Sequence, residues 1–125
     1  MTDLYQEIIL EEYRHPQNMG VLENADRKEH EVNASCGDEV TVYLKLNPEK
    51  DRIIDLKWQG KGCVISMAAM SLLSERAKTT NVADIQKMTK QNIETMSGIT
   101  EISYGREKCL LLGLQTLKKA LSNLA

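Results

Sequence analysis

Between residues 39 and 47 apolar and polar side chains alternate, with Val40, Val42, Leu44 and Leu46 in one phase and Thr41 and Lys45 in the other. A period of two is that of a β-strand with one buried face. The run 52–58 repeats it through Ile54, Leu56 and Trp58, and 27–34 carries a weaker version with His30, Val32 and Ala34 on one side. NPEKD (47–51) separates the two stronger runs and puts Pro48 at the first corner of a turn. Three strands with short connections predict an antiparallel meander.

After residue 60 the period lengthens. GKGC (60–63) is a glycine-rich loop, and VISMAAMSLLSERA (64–77) is apolar nearly all round, the pattern of a deeply buried helix. Short helices are expected at 82–89, opened by Asn81 and Asp84, and at 91–97, closed by Gly98. A last helix over 104–124 aligns Leu110, Leu114, Leu117, Leu121 and Leu124 at alternating steps of four and three residues. At the other end Asp3 and Gln6 read as a capped helix start, Leu4, Ile8 and Ile9 as its apolar stripe. Pro16, in HPQNMG (15–20), ends that helix near Arg14. The expected architecture is α+β: a small three-stranded antiparallel sheet packed against a mainly C-terminal helical layer, with an N-terminal helix. Residues 1–125 are expected to form a single domain.

Composition narrows the functional classes. The chain of 125 residues is 42% hydrophobic and 27% charged with a formal net charge of −2, so no overall basic field draws nucleic acid or an anionic membrane. Phenylalanine is absent, which leaves aliphatic side chains and methionine to build the core. The start, MTDLYQEIILEEYR, is acidic and amphipathic where a signal peptide would be basic then apolar, and no apolar run approaches the ~20 residues of a membrane span. Three cysteines, an odd count, argue against a secreted disulfide framework. A cytoplasmic, reduced setting is expected.

Those cysteines sit at particular places. Cys36 and, two residues on, Asp38 stand in NASCGDEV at the entrance to the strongest strand. Cys63 follows Gly62 and immediately precedes the buried helix, and Cys109 lies in the first turns of the last one. A helix start carries partial positive charge and free N–H groups that stabilise a thiolate, and glycine lets backbone approach a metal closely. Lys61, Arg106 and Lys108 add positive charge nearby. A single cysteine is most commonly a small buried hydrophobe, and the wide spacing here matches no zinc-finger signature. Periodicity and spacing therefore leave two readings open, buried cysteines or a metal site of three Cys and one Asp. His15 reads as a solvated helix-end residue, His30 as a surface or cross-strand residue, and Met67 and Met70 as core.

Four motifs, HPQNMG, NASCGDEV, GKGCVISMAAMSLLSE and REKCLLLGLQTL, occur in the order found in the U-type iron–sulfur cluster assembly scaffolds, the IscU/SufU/NifU group, which this chain resembles over nearly its whole length. The resemblance implies that Cys36, Asp38, Cys63 and Cys109 ligate zinc or a nascent [2Fe–2S] cluster. It also implies iron as a component and a cysteine desulfurase of the SufS/IscS type as sulfur donor, with downstream cluster acceptors as further partners. Cys36 in a SufU-like protein, or Cys109 in an IscU-like one, would take the persulfide. The chain also departs from both branches. Lys108 stands where IscU-type members carry a histidine, their Leu-Pro-Pro-Val-Lys chaperone-docking stretch is absent, and Arg106 to Cys109 look SufU-like without the usual insert between the second and third cysteines. Three readings follow: a scaffold, a zinc-dependent sulfurtransferase, or a structural zinc module. None of them is a conventional enzyme, although a sulfurtransferase would come nearest.

Overall fold

The computed structural model describes residues 3–34, 37–100 and 104–122. Strands β1 (Arg27–Asn33), β2 (Asp38–Leu46) and β3 (Ile53–Lys61) form an antiparallel sheet in the order β1-β2-β3. Helices α1 (Asp3–Arg14), α2 (Val64–Ala77), α3 (Val82–Gln86), α4 (Lys90–Ser97) and α5 (Tyr104–Ala120) complete the described elements. The fold is α+β, with α2 and α5 packed on each other and against the sheet.

In the central strand Val40, Val42, Leu44 and Leu46 are all buried as their phase predicts, and Tyr43, in the other phase, is buried as well. β3 does not. Asp55 pairs with Lys45 and Ile53 with Leu46, so Ile54 is an extra residue in the ladder. A bulge of this kind reverses the side-chain phase beyond it. Ile53 is therefore buried and Ile54 is 57% exposed, which corrects the expected face of Ile54, Leu56 and Trp58 at its first position. In β1 the side carrying His30 and Val32 faces solvent, and Glu31 on the other side pairs with Lys119 of α5.

β3 would be an open edge but for HPQNMG. The Trp58 N–H donates to Asn18 O at 3.0 Å and its carbonyl accepts from Gly20 N–H at 2.8 Å, so this segment lies along the strand. Its other side is tied to α2: Gln17 N–H donates to Ser71 Oγ at 2.7 Å and Asn18 Nδ2 to Ser74 Oγ at 3.0 Å. α1 itself contributes Ile9 to the core, while Ile8, expected in the same stripe, is 36% exposed. The side chains of Asp3 and Leu4, which carry the expected cap and the start of that stripe, lie outside the described set.

α2 is buried along most of its length, as its composition requires. Its contact with α5 is close because Gly113 faces Met70, where a Cβ would come within 2.6 Å of the sulfur. On α5 Leu110, Leu114 and Leu117 are buried, as is Leu121 just past its last residue, Ala120, and Leu124 lies outside the described residues. α3 stops short of the expected 82–89 because Lys87 and Met88 N–H groups turn to carbonyls three residues back and Thr89 opens α4. No helix among the described residues is long and apolar enough to cross a membrane.

Candidate metal centre

Asp38 is the first residue of β2 and in phase with Val40, so the period of two that buries the core face also turns this carboxylate inward, to 3% exposure. A buried carboxylate requires donors. It has them: Ser66 Oγ donates to Oδ2 at 2.8 Å and Cys63 N–H to Oδ1 at 3.2 Å. Both donors belong to the start of α2, so strand and helix meet on this side chain.

Cys63 is the N-cap of α2, in extended geometry, and its Sγ accepts from Ser66 N–H at 3.5 Å. A sulfur thus occupies the capping position usually held by a serine or aspartate oxygen. Cys109 lies past the free N–H groups of the α5 start, on the buried side of the helix. Asn33 Nδ2 reaches its Sγ from the end of β1 at 3.9 Å. The ligand atoms of Asp38, Cys63 and Cys109 lie within 4.8 Å of one another. Cys36 falls outside the described residues. The adjoining Gly37 closes the β1–β2 connection by donating to Asn33 O at 2.8 Å and, with Lys61, Gly62 and Arg106, lines the cavity of ≈ 460 Å³ above the cluster.

The donor set fits a soft or borderline cation. Two thiolates and a carboxylate at this spacing repel one another unless a cation lies between them. Cys63 Sγ and Asp38 Oδ2 are 3.6 Å apart, close to the edge of about 3.5–3.8 Å that Zn–S and Zn–O bonds subtend in a tetrahedron. Lys61 and Arg106 are exposed at the rim, whereas Lys108 turns to a neighbouring groove with Asn33, Leu112 and Gln115. The histidines take no part: His30 faces Glu39 on the solvent side of the sheet, 3.9 Å away, and His15 is exposed beyond α1.

Electrostatically, burial pushes the Cys63 thiol up and the Asp38 charge adds to that. Hydrogen bonds from the Ser66 amide and from Arg106, with the Ser66 hydroxyl alongside the sulfur at 3.3 Å, outweigh both and leave it below its ordinary 9.0. A depressed folded-state value favours the thiolate in the fold. Its contribution to stability is full above the ordinary thiol value and is lost as pH falls through the folded one. Alkylation of Cys63 in metal-free protein, followed by peptide mass mapping, is expected to titrate with a midpoint below 9.0 and to return to the ordinary value in urea. A native midpoint at or above that value contradicts the hydrogen-bond pattern.

Gly62 is the other structural requirement. Its φ is +158°, and a Cβ there would fall 2.5 Å from Asp38 Oδ1. The carboxylate is short, buried and bonded at both oxygens, so it has little room to yield. Gly62→Ala is expected to displace Asp38, lower metal affinity by about 10–100-fold and cost about 1–3 kcal/mol of stability, read by chelator competition and urea unfolding.

Ser66 and Asn33 were not among the candidates read from sequence. Ser66 has a signal, since it stands three residues after the cap, where capping partners occur. Asn33 becomes meaningful only once it is seen to pair with Asp38 across the hairpin.

Comparison with known proteins agrees with this architecture. The family model described as NifU-like N terminal domain matches residues 4–125. An iron–sulfur cluster assembly scaffold protein IscU of Thermotoga maritima is 36% identical, over 98% of this chain and 95% of its own. The zinc-dependent sulfurtransferase SufU of Bacillus subtilis is 28% identical, over 98% of this chain and 92% of its own. The crystal structure of FiSufU from Fervidobacterium islandicum superimposes with a TM-score of 0.79 at 29% identity, covering 93% of this chain and 95% of that one. By the extent of the family match, together with the identity to the Thermotoga protein, this chain belongs to the NifU-like N-terminal domain family.

Proposed function

We propose that this domain is an iron–sulfur cluster assembly scaffold, which takes sulfur from a cysteine desulfurase, binds iron and transiently holds a [2Fe–2S] cluster for transfer. Cys36, Asp38, Cys63 and Cys109 are the residues assigned to hold that cargo. The observation that carries the reading is the convergence of three of their ligand atoms, those of Asp38, Cys63 and Cys109, within 4.8 Å beneath an open cavity. One ligand is unlike the others. A hard carboxylate oxygen matches an iron–sulfide core less well than sulfur, and a site that must release its cargo benefits from one weak bond. A permanent electron-transfer centre would instead favour four cysteines. Anaerobic reconstitution with iron and sulfide is expected to give a visible chromophore that passes to an apo-ferredoxin, and Asp38→Cys is expected to retain it longer. Failure of the native chain to hold any chromophore overturns the scaffold reading.

The surroundings of Cys63 favour a second reading, that of a zinc-dependent sulfur relay. Arg106 and the Ser66 amide hold that sulfur toward the thiolate, the form that both binds a metal and attacks a persulfide. Bound zinc would keep the cysteines deprotonated and masked until a partner frees one. The freed thiolate, Cys36 or Cys109, attacks the outer sulfur of the desulfurase persulfide. The new S–S bond forms as the old one breaks, and the desulfurase cysteine leaves as thiolate. Desulfurase turnover measured with zinc-loaded native protein and with Cys36→Ser and Cys109→Ser decides this: a relay raises turnover and loses the effect with one of the two.

A further inference from the structure

Resting on the assignment of Asp38 as a ligand, the structure adds a residue that governs it. Ser66 is 1% exposed and belongs to no ligand set. Its hydroxyl lies 2.8 Å from Asp38 Oδ2, 3.2 Å from Cys63 O and 3.3 Å from Cys63 Sγ. A hydroxyl has one proton, and the shortest, charge-assisted bond, to the carboxylate, takes it.

Which oxygen receives that proton matters. Oδ1 is turned toward the Cys63 N–H and packed against Gly62. Oδ2 is the oxygen that faces the Cys63 sulfur, at 3.6 Å, and is therefore the one presented to an ion shared with the sulfurs. Ligating carboxylates are usually hydrogen-bonded by outer partners that orient them. Here the donor acts on the ligating oxygen itself. Electron density given to the hydroxyl is withdrawn from the metal bond, and the carboxylate keeps a place to rest when that bond breaks.

We propose that Ser66 is a positioning residue that keeps the Asp38–metal bond weak, so that the serine sets how fast the site gives up its ion. The consequence has a sign opposite to that of ordinary structural damage. Removing the hydroxyl slows metal release.

The test is zinc release from loaded full-length protein into an excess of a chromophoric chelator, followed by stopped flow. Ser66→Ala is expected to release zinc about 10-fold more slowly than native, the size of one hydrogen bond to a charged oxygen, and Ser66→Thr, which keeps the hydroxyl, at close to the native rate. In an Asp38→Ala background, Ser66→Ala is expected to change the rate less than about 2-fold, because the serine acts through that carboxylate. The urea midpoint of each metal-free variant records structural cost separately. Unchanged or faster release by Ser66→Ala overturns the role of the serine while leaving the ligand assignment standing, and so does an equal slowing in the Asp38→Ala background. Native protein that retains no zinc overturns the ligand assignment and this inference with it.

Discussion

Cys63→Ala is expected to lower zinc affinity by more than about 100-fold while costing the metal-free fold only about 1 kcal/mol, and Cys63→Ser is expected to separate the two effects. The sulfur does two jobs at one place: it caps α2 by accepting from Ser66 N–H, and it lies within ligand distance of Asp38 and Cys109. Alanine removes both. Serine is a better N-cap than cysteine, so Cys63→Ser restores the cap and returns metal-free stability to native or slightly above. Its neutral hydroxyl remains a poor metal donor, and affinity stays low. Competition with a zinc chelator and urea unfolding of the metal-free forms read the two quantities independently. Tight zinc binding by Cys63→Ser would remove this cysteine from the ligand set. The same experiment bears on a purely structural metal. The buried cluster runs from Ile9 through the sheet to Leu121 without using the ligands as core, so metal-free protein is expected to stay folded. A chain that unfolds on chelation would be the structural zinc module.

Much of this fold could be read from periodicity because the dominant elements are governed by burial alone. β2 alternates since one face is core, and α2 is apolar all round since sheet, α1, α4 and α5 surround it. Where reading failed, a local event overrode the period. The bulge at Ile54 shifts a phase that sequence spacing takes as continuous, and α3 ends early because the next cap begins at Thr89. The site divides in the same way. Asp38 could be seen to face inward from its phase with Val40, and Cys63 from its place before an apolar helix. That the two meet depends on the register pairing Glu39 with Lys61, which sets the end of β3 and hence the start of α2 beside Asp38. No local pattern encodes that register. Ser66 and Asn33 acquire their roles in the same way, from partners distant in sequence: Asp38 on β2 for Ser66 and Cys109 on α5 for Asn33.

Trp58→Ala is expected to destabilise the domain by about 3–5 kcal/mol, a large share of the 5–15 kcal/mol typical of small domains. The indole is fully buried between sheet and helices, in a core that has no phenylalanine to fill the space it would leave. Its Nε1–H donates to Gln17 O at 2.7 Å, and the backbone of the same residue holds Asn18 and Gly20 along the strand edge. Truncation therefore opens a cavity and leaves a carbonyl of the covering segment without its indole donor. Trp58→Phe keeps part of the volume and loses the donor, so an intermediate cost of about 1–3 kcal/mol is expected. β3 runs on from Trp58 through Gly60 and Lys61 to the cysteine that caps α2. Slack in this strand should reach the site, and metal affinity should fall together with stability in Trp58→Ala. Urea unfolding followed by far-ultraviolet circular dichroism, with zinc competition on the folded fraction, measures both. A loss below about 1 kcal/mol for Trp58→Ala would mean that the core closes over the gap and that the covering segment is held by α2 alone.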